Sequence, residues 1–593
     1  MCGIAGLMSR DGAPPPAAPL LAMARALGHR GPDGEGRYRS GDVAMAQTRL
    51  AIIDLETGDQ PLYEPGGAAL VANAEIYNYV ELAEALRAAP RPPAFATRSD
   101  CELPLHLYRR HGLDFALHLR GMYALALHDP VAGRLVLTRD PFGIKPLYYA
   151  ELDQGFAFAS QPQALIAAGL IAPRLHVPAR SELLQMQFTT GRRTVFAGIE
   201  RVLPGETIVV QRGRIVERRR RAALPQGAPL PLAEDEALRR LDAVLADSVR
   251  VHQRADVPYG LFLSGGIDST AILVMMARQA LRPVKTFTIG FADTPVADER
   301  AAARAAARAV GAEAIEVAFA EADFWRLLPE IAAALDDPSA DYAILPTYKL
   351  AQAARQEGLK LVLTGEGGDE LFAGYGRYRS AMRPWWAGGR LPRARGLLDG
   401  LGVLREEMAG WRDGIAAAEA RSSGCGRTAL QIAQAADCAD WLPNDLLLKL
   451  DRCLMAHGIE GRTPFLDPAV AAFAFALSDD LKVRRGRGKW LLRRWLAEHL
   501  PQARARARKR GFTVPVGHWI ARRAGAIGPL VAAAPGVRAI CRPHAVERLF
   551  AAAAERHAGH AAWTLLFYAL WHRRHIEGRA LPPDTAEALA EMR

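Results

Sequence analysis

Cysteine stands second in the chain, in "MCGIAG". Removal of Met1 would leave a thiol and a free α-amine on one residue, with reference pKa values of about 8.5 and about 7.7–8.0. An N-terminal nucleophile needs that pairing: the thiolate attacks while the amine acts as base, directly or through a water. By position alone Cys2 reads first as a buried structural cysteine, and the rest of the sequence has to shift that reading. Farther along, "LFLSGGIDST" (261–270) sets an apolar run before a sharp Ser264-Gly265-Gly266 turn, with a helix expected from about Asp268. Glycines let backbone N–H groups approach an anion, and a helix N-terminus favours negative charge. "LVLTGEGGDELFAGY" (361–375) repeats the arrangement, with Thr364 and Gly365 at a strand end and Asp369 just beyond. Two carboxylates, Asp268 and Asp369, together with phosphate oxygens would suit magnesium, which keeps waters and takes few protein ligands.

These residues need scaffolds of two kinds. Residues 1–210 carry short β-like runs such as "GAALVANAEIYNY", "GMYALALHDP" and "GFAFAS", punctuated by Gly, Pro and Asp. Such alternation predicts antiparallel strands, with helices near 14–28 and 80–89. From 236 strands alternate with helices: "EALRRLDAVLADSV" places Leu238, Leu241, Leu245 and Val249 on one helical face, and "VPYGLFLS", "VKTFTIGF", "AIEVAF" and "LKLVLTG" read as strands. That alternation predicts a mostly parallel sheet covered by helices. Beyond 380 the chain reads as mainly helical. The expected division is 2–210, a linker at 211–235, and 236–593.

Composition narrows the function classes. The 593 residues exceed a single core, and 50% hydrophobic with 23% charged residues is ordinary for a globular protein. Six scattered cysteines form no C-x-x-C pair, which argues against a disulfide framework or structural zinc and suits a reducing cytoplasm. No secretory signal is read at the start, and "AAWTLLFYALW" is too short to span a bilayer and reads as a buried helix. The net charge of +11 is concentrated in arginine runs at 212–221 and 502–511. Neither run is interleaved with stacking aromatics, so nucleic acid is not expected as a partner, and the first reads as a solvated linker.

The glycine loop lacks the lysine of a Walker A motif and the third glycine of a dinucleotide fingerprint. It resembles the SGGxDS pyrophosphate loop of ATP pyrophosphatases. With "HRGPDG" (29–34), "RLAIIDL" (49–55), "NAEIYNY" (73–79), "SDCE" (99–102), "RDPFGIKPLYY" (139–149), "KLDRCLMAHGIEGRTPFLD" (449–467), "GKWLLR" (488–493) and "KRGFTVP" (509–515), the ordered set resembles the glutamine-dependent asparagine synthetases. The resemblance implies an N-terminal αββα Ntn-type glutaminase sandwich, then a parallel-sheet α/β synthetase domain with a mainly helical C-terminal part.

It also implies roles. Cys2 would attack the glutamine amide and form a thioester. The Asn73 side chain and the Ala74 backbone N–H would make the oxyanion hole, Arg49 would grip the glutamine carboxylate, and Glu75 and Asp100 would meet its amino group and amide end. Ser264, Gly265, Gly266 and Ser269 would hold pyrophosphate, with Asp268 and Asp369 on Mg2+. Leu263, Ile289, Thr364 and Gly365 match the adenine and ribose region. Lys489 would stabilise the transferring phosphorus, with Lys449 a weaker candidate, and Glu366 is tied to adenylate formation and attack. Ala74 stands where glycine is usual and Cys101 where threonine is usual. The ammonia passage is expected to be lined mostly by apolar and small residues. The implied partners are glutamine, ATP and aspartate, with no membrane and a homodimer left open. Two alternatives stand beside this reading: an amidotransferase of the same architecture for another carboxylate, with "DDPSADYAILPTY" (336–348) as the acceptor-facing segment, and a non-catalytic glutamine or nucleotide sensor.

Overall fold

The computed structural model describes residues 2–291, 294, 298–383, 386, 389, 393–424, 426–503, 505 and 513–590. Cys425, Lys509 to Phe512 of "KRGFTVP" and most of the second arginine run lie outside them.

Twelve strands build the N-terminal part: β1 (Gly3–Ser9), β2 (Gly34–Ser40), β3 (Val43–Arg49), β4 (Leu62–Tyr63), β5 (Ala69–Ile76), β6 (Gly121–Asp129), β7 (Arg134–Arg139), β8 (Tyr148–Leu152), β9 (Gly155–Ala159), β10 (Glu200–Arg201), β11 (Glu206–Gln211) and β12 (Arg214–Arg220). They form two six-stranded sheets, β10-β8-β9-β1-β3-β2 and β12-β11-β7-β6-β5-β4. Alternation with period two explains why both can be buried on two faces. Ile4 and Met8 of β1 join Val71, Ala124, Ala126, Leu135 and Leu137 in the core between the sheets. Ala5 and Leu7 instead pack outward, in one cluster with Leu20, Met23 and Leu27 of the helix Ala17–Leu27. On the other outer face Leu70, Ala72, Leu125 and Leu127 meet Leu105, Leu107 and Tyr108 of the helix Leu103–His111. The layers are therefore αββα, as the resemblance implied.

One expectation needs correction. The arginines of 214–220 are not in a linker: β12 pairs antiparallel with β11, from Glu206↔Arg220 to Gln211↔Arg214. A bulge lies between Val209 and Val210, and the side chains of β12 remain mostly exposed, so charge on this edge strand costs little. The connection is correspondingly shorter, from 221 to the helix Glu234–His252.

The second part centres on β13 (Tyr259–Phe262), β14 (Lys285–Phe291), β15 (Glu313–Phe319), β16 (Leu361–Leu363) and β17 (Glu460–Arg462), in the order β15-β14-β13-β16-β17 with every pairing parallel. The strand order reverses between β13 and β16, so a crevice opens beyond their carboxyl ends. Leu238, Leu241, Leu245 and Val249 are buried, as their spacing predicts. After 376 the named elements are helices, apart from β17. The run "AAWTLLFYALW" lies inside the buried helix Arg556–His575, and no helix among the described residues is long and apolar enough to cross a membrane.

Candidate active sites

Cys2 enters β1 with 8% of its surface exposed. Its backbone N–H donates to Asn73 Oδ1 at 3.1 Å. That bond orients the amide of Asn73, which is fully buried on β5, and leaves Asn73 Nδ2 with no hydrogen-bond partner among the described residues. A buried, unpaired amide donor beside a thiol is what a developing oxyanion requires. Ala74 follows on β5, in register with Tyr123 of β6, and its φ is not positive, so the usual glycine is not required by backbone strain. Burial pushes the Cys2 thiol up, so attack needs a local base.

The other expected glutamine contacts converge here. Arg49 closes β3 and turns its guanidinium to Asp59 at 2.7 Å, with Ile53 and Asp54 carbonyls as further acceptors. Asp59 is 82% exposed, so an incoming carboxylate can replace it. Asp100 Oδ2 accepts from the Ile76 N–H at 2.7 Å, and burial pushes its carboxyl up to about 6. Burial raises Glu75 well above the carboxylate range, opposed by Arg462 of β17, which lies 2.8 Å away.

At the second site the carboxylates of Asp268 and Asp369, from the first turns of the helices Ile267–Gln279 and Gly368–Leu371 after different strands, meet at one ammonium. Lys489 Nζ pairs with Asp268 and lies 2.6 Å from Asp369 Oδ1. Burial opposes the lysine's charge, but the two carboxylates outweigh it and hold its pKa up. Lys489 is itself in the left-handed region, at φ 58°, where its N–H donates to Phe372 O at 2.9 Å. Close packing fixes the loops. A Cβ on Gly374 would fall 1.7 Å from Asp369 Oδ1, and one on Gly368 would fall 2.6 Å from Asp268 Cγ. Ser264 Oγ lies 3.1 Å from Ser269 Oγ and accepts from the Gly266 N–H at 3.2 Å, and Gly265 takes φ +67°. Leu263 follows β13, where its carbonyl accepts from Thr288 Oγ1 at 2.7 Å. Ile289 is buried on β14, and Thr364 donates its N–H to Arg462 O at 2.9 Å. Every residue expected at the ATP site thus gathers at the strand ends around the crevice.

Glu366 stands beside this cluster, raised by burial and lowered by Lys449. Lys449 reaches Asp341 Oδ2 at 2.8 Å. Burial pushes Asp445 up to about 7, while Ser339 and Trp441 donate to its two oxygens. The segment 336–348 therefore splits: Ser339 and Asp341 face the Glu366 side, whereas Asp336 and Asp337 pair with Arg452 and Arg201 at 2.7 Å.

Sequence reasoning named no residue joining the sites. The helix Leu447–Met455 does so. Two residues after Lys449, Asp451 takes both terminal nitrogens of Arg30 at 2.8 and 2.9 Å, and Arg30 Nε donates to the Cys2 carbonyl at 3.2 Å. The contact between the halves is thus crossed by a buried ion pair as well as by apolar clusters such as Leu50, Ile52 and Met455. The signal lay in "HRGPDG" and "KLDRCLMAHGIEGRTPFLD", but nothing in either string says that they touch.

Residues 240–573 match the family model described as asparagine synthase. The chain belongs to the asparagine synthase family. Residues 1–220 match a glutamine amidotransferase domain, which ends where β12 ends. Bacillus subtilis (strain 168) asparagine synthetase [glutamine-hydrolyzing] 1 is 31% identical over 100% of both chains. Asparagine synthetase [glutamine-hydrolyzing] 2 of the same organism is 32% identical over 65% of this chain and 54% of its own length. An amidase, chyE, of Penicillium rubens is 32% identical over 60% of this chain and 55% of its own.

Proposed function

We propose that this member of the asparagine synthase family makes asparagine from aspartate with ATP, using ammonia released from glutamine. The observation that carries the reading is the pairing, in one chain, of a thiol beside an unpaired Asn73 donor with a Lys489–Asp268–Asp369 cluster at a parallel-sheet crevice. Arg49 exchanges Asp59 for the glutamine carboxylate, and Glu75 and Asp100 take its amino group and amide end. With Met1 removed, the nitrogen now bonded to Asn73 becomes the α-amine that accepts the thiol proton. Cys2 attacks the amide carbon, Asn73 Nδ2 and the Ala74 N–H stabilise the oxyanion, the α-ammonium returns its proton to the departing nitrogen so that ammonia leaves, and water then hydrolyses the thioester to glutamate and the free thiol.

At the other site Ser264, Gly265, Gly266 and Ser269 cradle pyrophosphate, while Leu263, Ile289, Thr364 and Gly365 border the adenine and ribose. No group of three or more His, Cys, Asp or Glu among the described residues could hold a metal alone. Two carboxylates meeting at one point still fit magnesium, which takes its remaining ligands from phosphate and water. Asp268 and Asp369 would hold it, and it would neutralise charge on the leaving pyrophosphate. Lys489 stabilises the phosphorus as the acceptor carboxylate attacks it. Glu366 then takes a proton from the ammonia that displaces AMP. A cytoplasmic setting suits the free thiols.

Pyrophosphate release tests the reading, measured with aspartate, glutamate and no acceptor, each with ammonia and ATP-magnesium. Aspartate should stimulate release with asparagine accumulating in step, and glutamate should be poor. Aspartate at the acceptor-free background would refute the proposal. Asp268→Asn and Asp369→Asn should lower release with either nitrogen source while sparing glutaminase activity.

A further inference from the structure

A cavity of about 360 Å³ lies away from both sites, on the outer face of the β12-β11-β7-β6 part of the second sheet. The helix Leu103–His111 and the turn after it cover only part of that face, and the outward residues of three successive strands floor the opening: Tyr123 of β6, Thr138 of β7 and Thr207 of β11. All three are nearly inaccessible, at 2%, 1% and 6% exposure. The Tyr123 hydroxyl makes no hydrogen bond among the described residues. Thr138 and Thr207 are cross-strand partners whose hydroxyls lie 2.8 Å apart. One donates to the other, so the second proton is left for an acceptor in the cavity. Leu113 and Leu117 supply an apolar wall.

The mouth is basic. Arg219 and Arg221, from the arginine run that the two active sites leave unused, line it. Arg219 is held by Asp114 at 3.0 Å, which also lines the cavity, and by Glu217 at 2.6 Å. Among the described residues Arg221 has only long contacts, to the Ala116 and Leu117 carbonyls at 3.5 and 3.3 Å, and its charge opposes the rise in pKa that burial gives the Tyr123 phenol. Buried hydroxyl donors below, apolar walls and a guanidinium rim together define one ligand chemistry.

We propose that this cavity is an effector site for a small organic anion with an apolar body, its charged head on Arg221 and Arg219 and an acceptor atom on Tyr123. Tyr123 is the cross-strand partner of Ala74, so an occupant that shifts the tyrosine also shifts the strand carrying the oxyanion donors. Binding itself is independent of the acceptor and ATP chemistry. The effect on rate rests on the glutaminase reading.

Calorimetry on the full chain tests binding, with phenyl phosphate as the probe and inorganic phosphate and phenol as separate arms. Phenyl phosphate should bind about tenfold more tightly than either fragment, because head and body are held together. Tyr123→Phe, which keeps the ring and the fold, and Arg221→Ala should each weaken it about fivefold. Saturating probe should change glutamine hydrolysis about fivefold in the wild type, a coupling at the small end of the usual range, and in Arg221→Ala the same change should need about fivefold more probe. No binding overturns the proposal, as does binding that neither variant weakens, since that places the probe elsewhere. Binding with no change in hydrolysis overturns the effector role.

Discussion

The two active sites are prepared in opposite ways. Around Cys2 the decisive group is neutral: an amide whose oxygen is tied down and whose nitrogen awaits a partner. Around Lys489 the groups are charged and already satisfied, with one ammonium between two carboxylates. A preset neutral donor does nothing until negative charge develops, so it acts on the transition state. A balanced ionic cluster would instead have to be redistributed if, as proposed, magnesium and pyrophosphate bind there. The first site waits for charge, and the second must release it.

Four experiments bear on that contrast. Cys2→Ala should abolish glutamine-dependent synthesis completely and leave ammonia-dependent synthesis intact; residual glutaminase activity would dissolve the distinction between the sites. Lys489→Met leaves two carboxylates facing each other, and pyrophosphate formation should fall on the order of 10³-fold, since preset charge at a phosphoryl centre is worth several kcal/mol. Excess magnesium should recover part of that loss, because the metal can replace the missing cation between the two carboxylates. Asn73→Ala should lower the glutaminase kcat by about 10²–10³ with KM little changed, the pattern of a donor used only by the oxyanion.

The smallest effect concerns pH. The Asp100 carboxyl titrates at about 6 because burial disfavours its charge. As pH falls through that value the glutamine contact is lost, so the glutamine KM should rise, whereas Asp100→Asn should give a high, flat profile. The sign for stability is reversed. The folded state holds this proton more tightly than the unfolded chain, so its contribution is full below about pH 4 and is lost as pH rises through about 6.

What was legible followed local physics. Glycines that permit a turn, an apolar run that must be a strand, and a helix stripe at Leu238, Leu241, Leu245 and Val249 each state their structure within a dozen residues. The turns at Ser264-Gly265-Gly266 and Thr364-Gly365 were read this way, while the ATP roles expected of them and the αββα layering came with the resemblance. The ion pairs between the halves could not be read so. Arg30 and Asp451 are 421 residues apart, and a lone arginine or aspartate ordinarily reads as a solvated charge. The arginines of β12 failed for a related reason, because an edge strand tolerates a composition that looks like a linker.

The buried pairs Arg30–Asp451, Arg201–Asp337 and Glu75–Arg462 have a consequence for how the chain can be divided. Separating the halves would break these pairs and turn both cut faces to water. Phe196 also packs tilted against Trp571, their ring centroids 5.6 Å apart, so an apolar seam runs beside the ionic one. A proteolytic nick between 221 and 233 would therefore leave a two-piece complex, and the pieces made from two open reading frames should find each other. Either piece made by itself would present a charged, partly oily face to water and precipitate. The halves are separable as chemistry and inseparable as a folded body.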